Sequence, residues 1–216
     1  GVEVGDGFAF HARHGIEPDC PVVVAMPGSR TTEVRRLLPV FGKALDRLHA
    51  SHPKLTAVVP TMATTSEIVE NLTGNWSVRT IVIHDQNEKA DLFAGSDAAV
   101  TKSGTSTLEL ALADVPMVVA YKVSALTAFL ARRLITVENV AMVNLLVDGK
   151  IVPECLQADC RPERLCDELA SLIGDETVRQ RQLAGLSEAV AALGADTLPP
   201  SERAARAVLD VVESST

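Results

Sequence analysis

The chain has 216 residues, of which 47% are hydrophobic and 22% are charged, and its formal net charge at pH 7 is −8. This composition favours a compact globular fold over a disordered chain. A nucleic-acid-binding protein usually carries a basic surface, so we expect no nucleic-acid partner. The longest apolar stretch, residues 110–121, is interrupted by Asp114 and Pro116 and is too short to span a bilayer.

The amino-terminal two thirds of the sequence alternate between two patterns. Short apolar runs rich in β-branched residues, bounded by turn signals, predict strands that are buried on both faces. Runs with helical periodicity lie between them, and repeated strand–helix alternation predicts right-handed βαβ units. We therefore expect an α/β fold with a Rossmann-like parallel sheet and helices on both faces. The predicted strands are residues 22–26, 55–59, 78–83, 97–101 and 116–121.

The sequence predicts no strand after residue 150. Three helical patterns follow, at residues 162–175, 176–193 and 199–212. We accordingly expect a Rossmann-like domain over residues 1–150. The C-terminal helices over residues 151–216 then either complete this domain or bridge to another one.

A further helical pattern, residues 126–135, combines apolar side chains with Arg132 and Arg133. It is consistent with a helix that packs on the core through one face, and also with a helix that lies on an anionic membrane surface.

Metal-binding patterns are weak in this sequence. Two histidine pairs have i,i+3 spacing but no evident third ligand, and the cysteines show no CxxC spacing, so we expect no metal site. We interpret the cysteines as reduced, small apolar side chains. They are Cys20, Cys155, Cys160 and Cys166.

Two strand-to-helix turns have a composition that suits an anion. In the first, residues 27–30, Gly28 permits close approach of a ligand, Ser29 offers a hydroxyl and Arg30 offers a forked cation for phosphate oxygens. In the second, Gly104 permits close approach, and Ser103 and Thr105 offer hydroxyls and backbone N–H groups to a phosphate. The helix that follows adds positive potential at its N-terminus.

An acidic side chain follows the second turn. Glu109 lies one turn into the predicted helix, where its carboxylate could accept hydrogen bonds from a ribose diol. Each turn alone is also compatible with an ordinary connection, and neither matches the P-loop or the dinucleotide-binding pattern. Two such turns in one parallel sheet together predict a site for a nucleoside diphosphate. No D-x-D pair follows a strand, so we expect Arg30 and helix N-termini, rather than a metal, to balance the charge.

Asn144 lies among apolar residues near the end of the alternating section. A buried amide needs hydrogen-bond partners. Two alternatives follow: Asn144 stabilises the fold, or it contacts a ligand.

Several of these stretches resemble the C-terminal part of the lipid-A-disaccharide synthase family, whose members are two-domain GT-B glycosyltransferases. The resemblance runs from residue 7 to residue 213. It is carried chiefly by "PGSRTTEVRRLLPVF", "SDAAVTKSGTSTLELALADVPMVVAYKVS" and "NLLVDGKIVPECLQ". It implies one half of a GT-B fold, a UDP-sugar donor and no cofactor.

The resemblance also implies which residues contact the donor. Asn144 matches the Asn of a Leu-Pro-Asn motif, although Val143 stands where that motif has Pro, and Gln157 closes the following block. The remaining implied donor-binding residues are Gly28, Ser29, Arg30, Ser103, Gly104, Thr105 and Glu109.

The family joins UDP-2,3-diacylglucosamine to 2,3-diacylglucosamine 1-phosphate with inversion and releases UDP. The half of the family that faces the acceptor and the membrane has no match here, and the sequence begins with Gly1. We therefore expect an upstream segment and assign no catalytic base, and we expect the chain alone to be inactive. The resemblance implies a cytoplasmic enzyme peripheral to the inner membrane, with a lipid acceptor bound by the other half. The alternatives are another GT-B-like sugar-nucleotide enzyme, such as a UDP-N-acetylglucosamine epimerase, or a UDP-binding module without turnover.

Overall fold

A six-stranded sheet lies at the centre of the protein, and every pair of neighbouring strands is parallel. The computed structural model describes residues 4–123, 139–147 and 149–194, together with Ala205. The strands are β1 (Val22–Met26), β2 (Thr56–Pro60), β3 (Arg79–Ile83), β4 (Ala98–Lys102), β5 (Met117–Tyr121) and β6 (Glu154–Leu156). The described helices are α1 (Gly7–His14), α2 (Thr31–Ser51), α3 (Ser66–Thr73), α4 (Lys89–Ala94), α5 (Ser106–Leu112), α6 (Met142–Leu146), α7 (Pro162–Gly174) and α8 (Glu176–Ala192), with a 3-10 helix at Gln86–Glu88.

Two apolar layers cover the two faces of the sheet. Successive side chains of a strand point to opposite faces of the sheet. In β1, Val23 and Ala25 accordingly face one layer, and Val22 and Val24 face the other. Helices α2, α3 and α7 supply side chains to the first layer, and α1, α4, α5, α6 and α8 supply the second. The predicted α/β sheet with helices on both faces is thus confirmed.

The strand order is β3-β2-β1-β4-β5-β6. From β1 the chain adds β2 and β3 on one side, and from β4 it adds β5 and β6 on the other. The direction of growth therefore reverses between β1 and β4, which are neighbours with Met26 opposite Thr101.

The expectation that no strand follows residue 150 is wrong. Strand β6 pairs with β5, with Cys155 opposite Ala120. Three residues are too few to show a periodic pattern, and Glu154 and Cys155 are not β-branched, so the sequence carries little strand signal here. Because α7 packs on α2 and α8 packs on α5, residues 151–192 extend the same sheet and its two layers.

Two helical predictions lie outside the described residues. They are residues 126–135 and, apart from Ala205, residues 199–212. Among the residues that the structure describes, no helix combines the length and the apolarity that crossing a membrane would require.

Candidate functional site

A cavity of about 330 Å³ lies at the carboxyl ends of β1 and β4, where the strand order reverses. Open α/β sheets bind ligands at such a point, because helices on opposite faces leave a crevice there. Both predicted turns meet in this one cavity, although their contact with a ligand stays a prediction. The predicted residues that line it are Gly28, Ser29, Arg30, Ser103, Gly104, Thr105 and Glu109.

The first turn depends on a glycine. Gly28 has φ of 112°, a conformation that side-chain-bearing residues rarely adopt. A Cβ atom at this position would also lie 2.3 Å from Oε2 of Glu33. The backbone conformation therefore favours glycine at residue 28, and a side chain there would also displace the Glu33 carboxylate.

Glu33 forms ion pairs with two cationic side chains that line the cavity. Its Oε1 lies 3.0 Å from Nη1 of Arg30 and 3.0 Å from Nζ of Lys102. Partial burial favours a higher pKa for the Glu33 carboxyl, but hydrogen bonds from Lys102 and Arg30 outweigh it, so this pKa lies below its usual value. Glu33 is therefore an anion that positions two cations at the cavity.

The guanidinium of Arg30 remains accessible despite this ion pair. Its side chain is 75% exposed, whereas that of Lys102 is 22% exposed. Only Nη1 of Arg30 has an acceptor among the described residues, so the N–H groups on Nη2 and Nε can also bind an incoming anion.

The second turn offers backbone groups rather than the predicted hydroxyl of Ser103. The Ser103 hydroxyl donates to the carbonyl of Val140 at 2.6 Å, and the Thr107 hydroxyl donates to the carbonyl of Gly104 at 2.7 Å. These two bonds shape the turn. A ligand at this corner would meet Gly104 and the exposed Thr105.

Several backbone amides at the two turns lack a protein acceptor. Within the described ranges, the N–H groups of Ser29, Gly104 and Thr105 donate no hydrogen bond. Such groups carry partial positive charge and are suited to phosphate oxygens.

Glu109 is paired with a lysine that sequence reasoning missed. The Lys89 ammonium donates to Oε2 of Glu109, and it lies 5.6 Å from the ring centroid of Phe93. Lys89 lines the same cavity but belongs to α4, twenty residues before Glu109. No local pattern links the two residues, so only the tertiary structure, which brings the start of α4 to the first turn of α5, could reveal the pair.

Asn144 does not line this cavity. Its side chain is fully buried in α6, and its Nδ2 donates to the carbonyl of Val152 at 2.9 Å and to Glu154 at 2.8 Å. Its Oδ1 accepts from the N–H groups of Ile151 and Val152. Both donors and both acceptor positions of the amide are occupied, so the structure supports the first alternative, in which Asn144 stabilises the fold.

Gln157 also lies apart from the residues that line the cavity. It follows β6 with φ of 51°, its N–H donates to the carbonyl of Tyr121, and its Oε1 accepts from the N–H of Val123. Its described contacts hold the segment after β5. Neither Gln157 nor Asn144 lines the cavity, and donor contact by these two residues stays a prediction.

The cysteines are free thiols, as predicted. Burial raises the pKa of Cys155 to about 11, although Arg164 opposes this effect. Glu17, Asp19 and Cys20 form a small cluster that could approach a cation, but Lys54 already pairs with both carboxylates. Their arrangement is accounted for without a metal.

The strand order and the crevice define a Rossmann-like domain of the kind that forms one half of a GT-B glycosyltransferase. The solved structure of WaaG, a glycosyltransferase involved in lipopolysaccharide biosynthesis, matches 89% of this chain and 47% of its own, with a TM-score of 0.60 and 17% identity. A UDP-GlcNAc 2-epimerase from Neisseria meningitidis, solved bound to UDP-GlcNAc, matches 86% of this chain and 47% of its own, with a TM-score of 0.55 and 12% identity.

Sequence comparison then identifies the family. Residues 8–207 match the family model for lipid-A-disaccharide synthetase. The lipid-A-disaccharide synthase of Rhodospirillum centenum is 44% identical over 212 residues, which are 98% of this chain and 53% of that protein. The chain belongs to the lipid-A-disaccharide synthase family. It spans about half the length of the curated relatives it matches.

Proposed function

We propose that the cavity between β1 and β4 binds the UDP portion of a UDP-sugar, and that the chain is the donor-binding half of an inverting glycosyltransferase. One observation carries the proposal. In a chain of net charge −8, one cavity is lined by three cationic and only two acidic side chains. Three residues of its two turns, Ser29, Gly104 and Thr105, also have backbone N–H groups without an acceptor among the described residues. The three cations are Arg30, Lys89 and Lys102.

The pyrophosphate would lie between the two turns. Arg30 offers its exposed guanidinium there, and Lys102 adds a second positive charge from the end of β4. Helix α2 has 21 residues and points its N-terminus at the same space, which adds further positive potential.

The ribose would then lie beside Glu109. The side chain of Glu109 is 44% exposed, and its second carboxylate oxygen has no described partner. A carboxylate can accept hydrogen bonds from both hydroxyls of a ribose diol. This contact would orient the donor, which is a positioning role.

Family membership supports a specific reaction. A diacylated glucosamine is transferred from UDP to the 6-hydroxyl of 2,3-diacylglucosamine 1-phosphate. The bond between the sugar C1 and the β-phosphate oxygen breaks, a bond from the acceptor oxygen to C1 forms on the opposite face, and the acceptor proton leaves to a base. UDP departs with increased negative charge on its β-phosphate, which Arg30 and the N–H groups of Gly104 and Thr105 would stabilise. We assign no base in this chain and propose no cofactor.

The lipid acceptor would bind to the half of the relatives that this chain does not span. We propose that the intact enzyme works in the cytoplasm and contacts the inner membrane peripherally. The 216-residue chain alone would bind the donor without turning it over.

Calorimetric titration of the chain with UDP tests this function, with variants Arg30→Ala and Arg35→Ala. Arg30→Ala removes a charge-assisted hydrogen bond to phosphate, so we expect UDP to bind about tenfold more weakly. Arg35 is an exposed arginine of the same helix that does not line the cavity, so Arg35→Ala should bind UDP within about twofold of the parent chain.

The absence of UDP binding by the parent chain would refute the proposal, as would equal loss in the two variants. Competition between acylated and unacylated UDP-sugars then separates the lipid A reaction from other sugar-nucleotide chemistry. A UDP-diacylglucosamine donor should displace UDP from the intact enzyme at lower concentration than UDP-GlcNAc does.

A further inference from the structure

We propose that Gln86 contacts the base of the bound nucleotide and gives the cavity a preference for uracil over cytosine. The inference depends on the proposed function, because it requires a nucleotide in this cavity. It assigns recognition of the base to Gln86, whereas the two turns would bind the pyrophosphate and Glu109 would bind the ribose.

The orientation of the Gln86 amide is set by a hydrogen bond. Its Nε2 donates to the carbonyl of Thr61 at 2.9 Å. The reverse orientation would bring two oxygens together, so the amide nitrogen must face Thr61. Among the described residues nothing donates to Oε1, which is left as a free acceptor on an exposed side chain.

Gln86 lies where the base of a nucleotide would be expected. It begins the 3-10 helix after β3 and lines the same cavity as Arg30 and Glu109. With the pyrophosphate at Arg30 and the ribose at Glu109, the base would lie against the remaining lining of the cavity, which includes Gln86 and Met62. Lys89, which pairs with Glu109, lies three residues after Gln86 and connects the two positions.

The wall beside Gln86 suits a flat ring. Met62 is 47% exposed and lines the cavity. A thioether packs favourably against an aromatic ring. Met62 would therefore supply contact area that does not distinguish one pyrimidine from another, and the hydrogen bond of Gln86 would make the distinction.

The chemistry of the two pyrimidines gives the sign of the preference. Uracil carries a hydrogen on N3 and can donate to Oε1 of Gln86. Cytosine has a lone pair at N3, so the same contact would oppose two acceptors. The rings have the same size, and a mismatch at a hydrogen-bonding position rejects an analogue more strongly than shape does. We expect UDP to bind about tenfold more tightly than CDP.

The test compares UDP and CDP affinities of the 216-residue chain by calorimetry, with variants Gln86→Met, Gln86→Ala and Asn87→Ala. Gln86→Met keeps the length of the side chain but removes its acceptor. Both Gln86 variants should lose the preference, with UDP about tenfold weaker and CDP within about twofold of the parent chain. Asn87 is the exposed neighbour and does not line the cavity, so Asn87→Ala should keep the preference.

Each other result would overturn the inference. A parent chain that binds both nucleotides equally, a preference that survives in the Gln86 variants, or an equal loss of UDP and CDP would each show that Gln86 does not contact the base. These results leave the proposed function standing. A parent chain that binds no UDP would refute both proposals.

Discussion

The cavity at the carboxyl ends of β1 and β4 differs from the buried cluster around Asn144 in how its polar groups are used. Around Asn144, both polar atoms of the amide are hydrogen-bonded, and Glu154 also accepts from the N–H groups of Val140 and Ala141. At the cavity, Arg30 is largely exposed. The N–H groups of Ser29, Gly104 and Thr105 have no acceptor among the described residues.

The sequence suggested a ligand contact in both regions, by a polar residue among apolar ones at Asn144 and by two glycine-containing turns at the cavity. The difference lies in whether the fold already uses the hydrogen-bonding capacity of the group. The Asn144 cluster contributes to the cavity indirectly. The N–H of Val140 donates to Glu154, and the carbonyl of Val140 accepts a hydrogen bond from the hydroxyl of Ser103. We therefore interpret the Asn144 cluster as a structural support and the cavity between β1 and β4 as the candidate ligand site.

Substitution of Asn144 should have the largest effect on stability. Asn144→Ala leaves two backbone N–H groups, the Val152 carbonyl and part of the Glu154 carboxylate without partners, so we expect the free energy of unfolding to fall by about 3 kcal/mol. Urea denaturation measures it, with the exposed Asn87→Ala as a control that should change stability by less than about 0.5 kcal/mol.

The structural role of Asn144 would be contradicted if Asn144→Ala left the free energy of unfolding unchanged but abolished UDP binding. Asn144 would then contact the ligand in a conformation different from the one described here.

Gly28→Ala should have an intermediate effect. Its φ of 112° is strained for alanine, and the Glu33 carboxylate would have to move away from the new Cβ, so we expect a loss of about 1–3 kcal/mol in unfolding free energy and weaker UDP binding. Gly174→Ala is the matched control, because no atom lies within 4 Å of a Cβ at that position. Equal thermal denaturation midpoints for the two variants would contradict the close contact.

The charge of Glu33 should have the smallest effect on stability. Burial favours a higher pKa for the Glu33 carboxyl, but hydrogen bonds from Lys102 and Arg30 outweigh this effect and lower the pKa in the folded state. The ionised carboxylate therefore stabilises the folded protein at pH values above the unfolded-state pKa. This contribution disappears as the pH falls through the folded-state pKa. Glu33→Gln should therefore be less stable than the parent chain at pH 7, by no more than about 1 kcal/mol, and about equally stable at pH 3.

Glu67→Gln provides the control for this pH dependence. Glu67 is exposed and forms no ion pair with the described residues, so its substitution should leave the difference between pH 7 and pH 3 unchanged. A stability difference for Glu33→Gln that persists at pH 3 would show that the carboxylate charge is not responsible.

Much of the fold could be predicted from local pattern. Strand β1 has the predicted bounds, and α2 buries Val34, Leu37 and Phe41 along one face as its periodicity indicates. Strand β6 was missed because three residues hold no periodic signal, and its strand geometry comes from pairing with β5. The two turns were found because Gly28 and Gly104 have a distinctive local composition.

Side-chain partners were much less accessible to sequence reasoning. Two ion pairs, Lys89 with Glu109 and Lys102 with Glu33, join residues of different elements. The spacing of residues along the sequence therefore does not predict them. The hydroxyl of Ser103, predicted to be available to a phosphate, donates to Val140 instead. These contacts arise when helices pack on the sheet.

The sequence by itself determined the alternation of strands and helices, the two glycine-containing turns and the family, because each depends on residues close together along the chain. Only the tertiary structure decided that β1 and β4 are neighbours and that both turns therefore line one cavity. It also decided that the amide of Asn144 is fully used within the fold whereas Oε1 of Gln86 is free. The physical reason is that hydrogen bonds and ion pairs are satisfied in space, by partners that the spacing of residues along the chain does not specify.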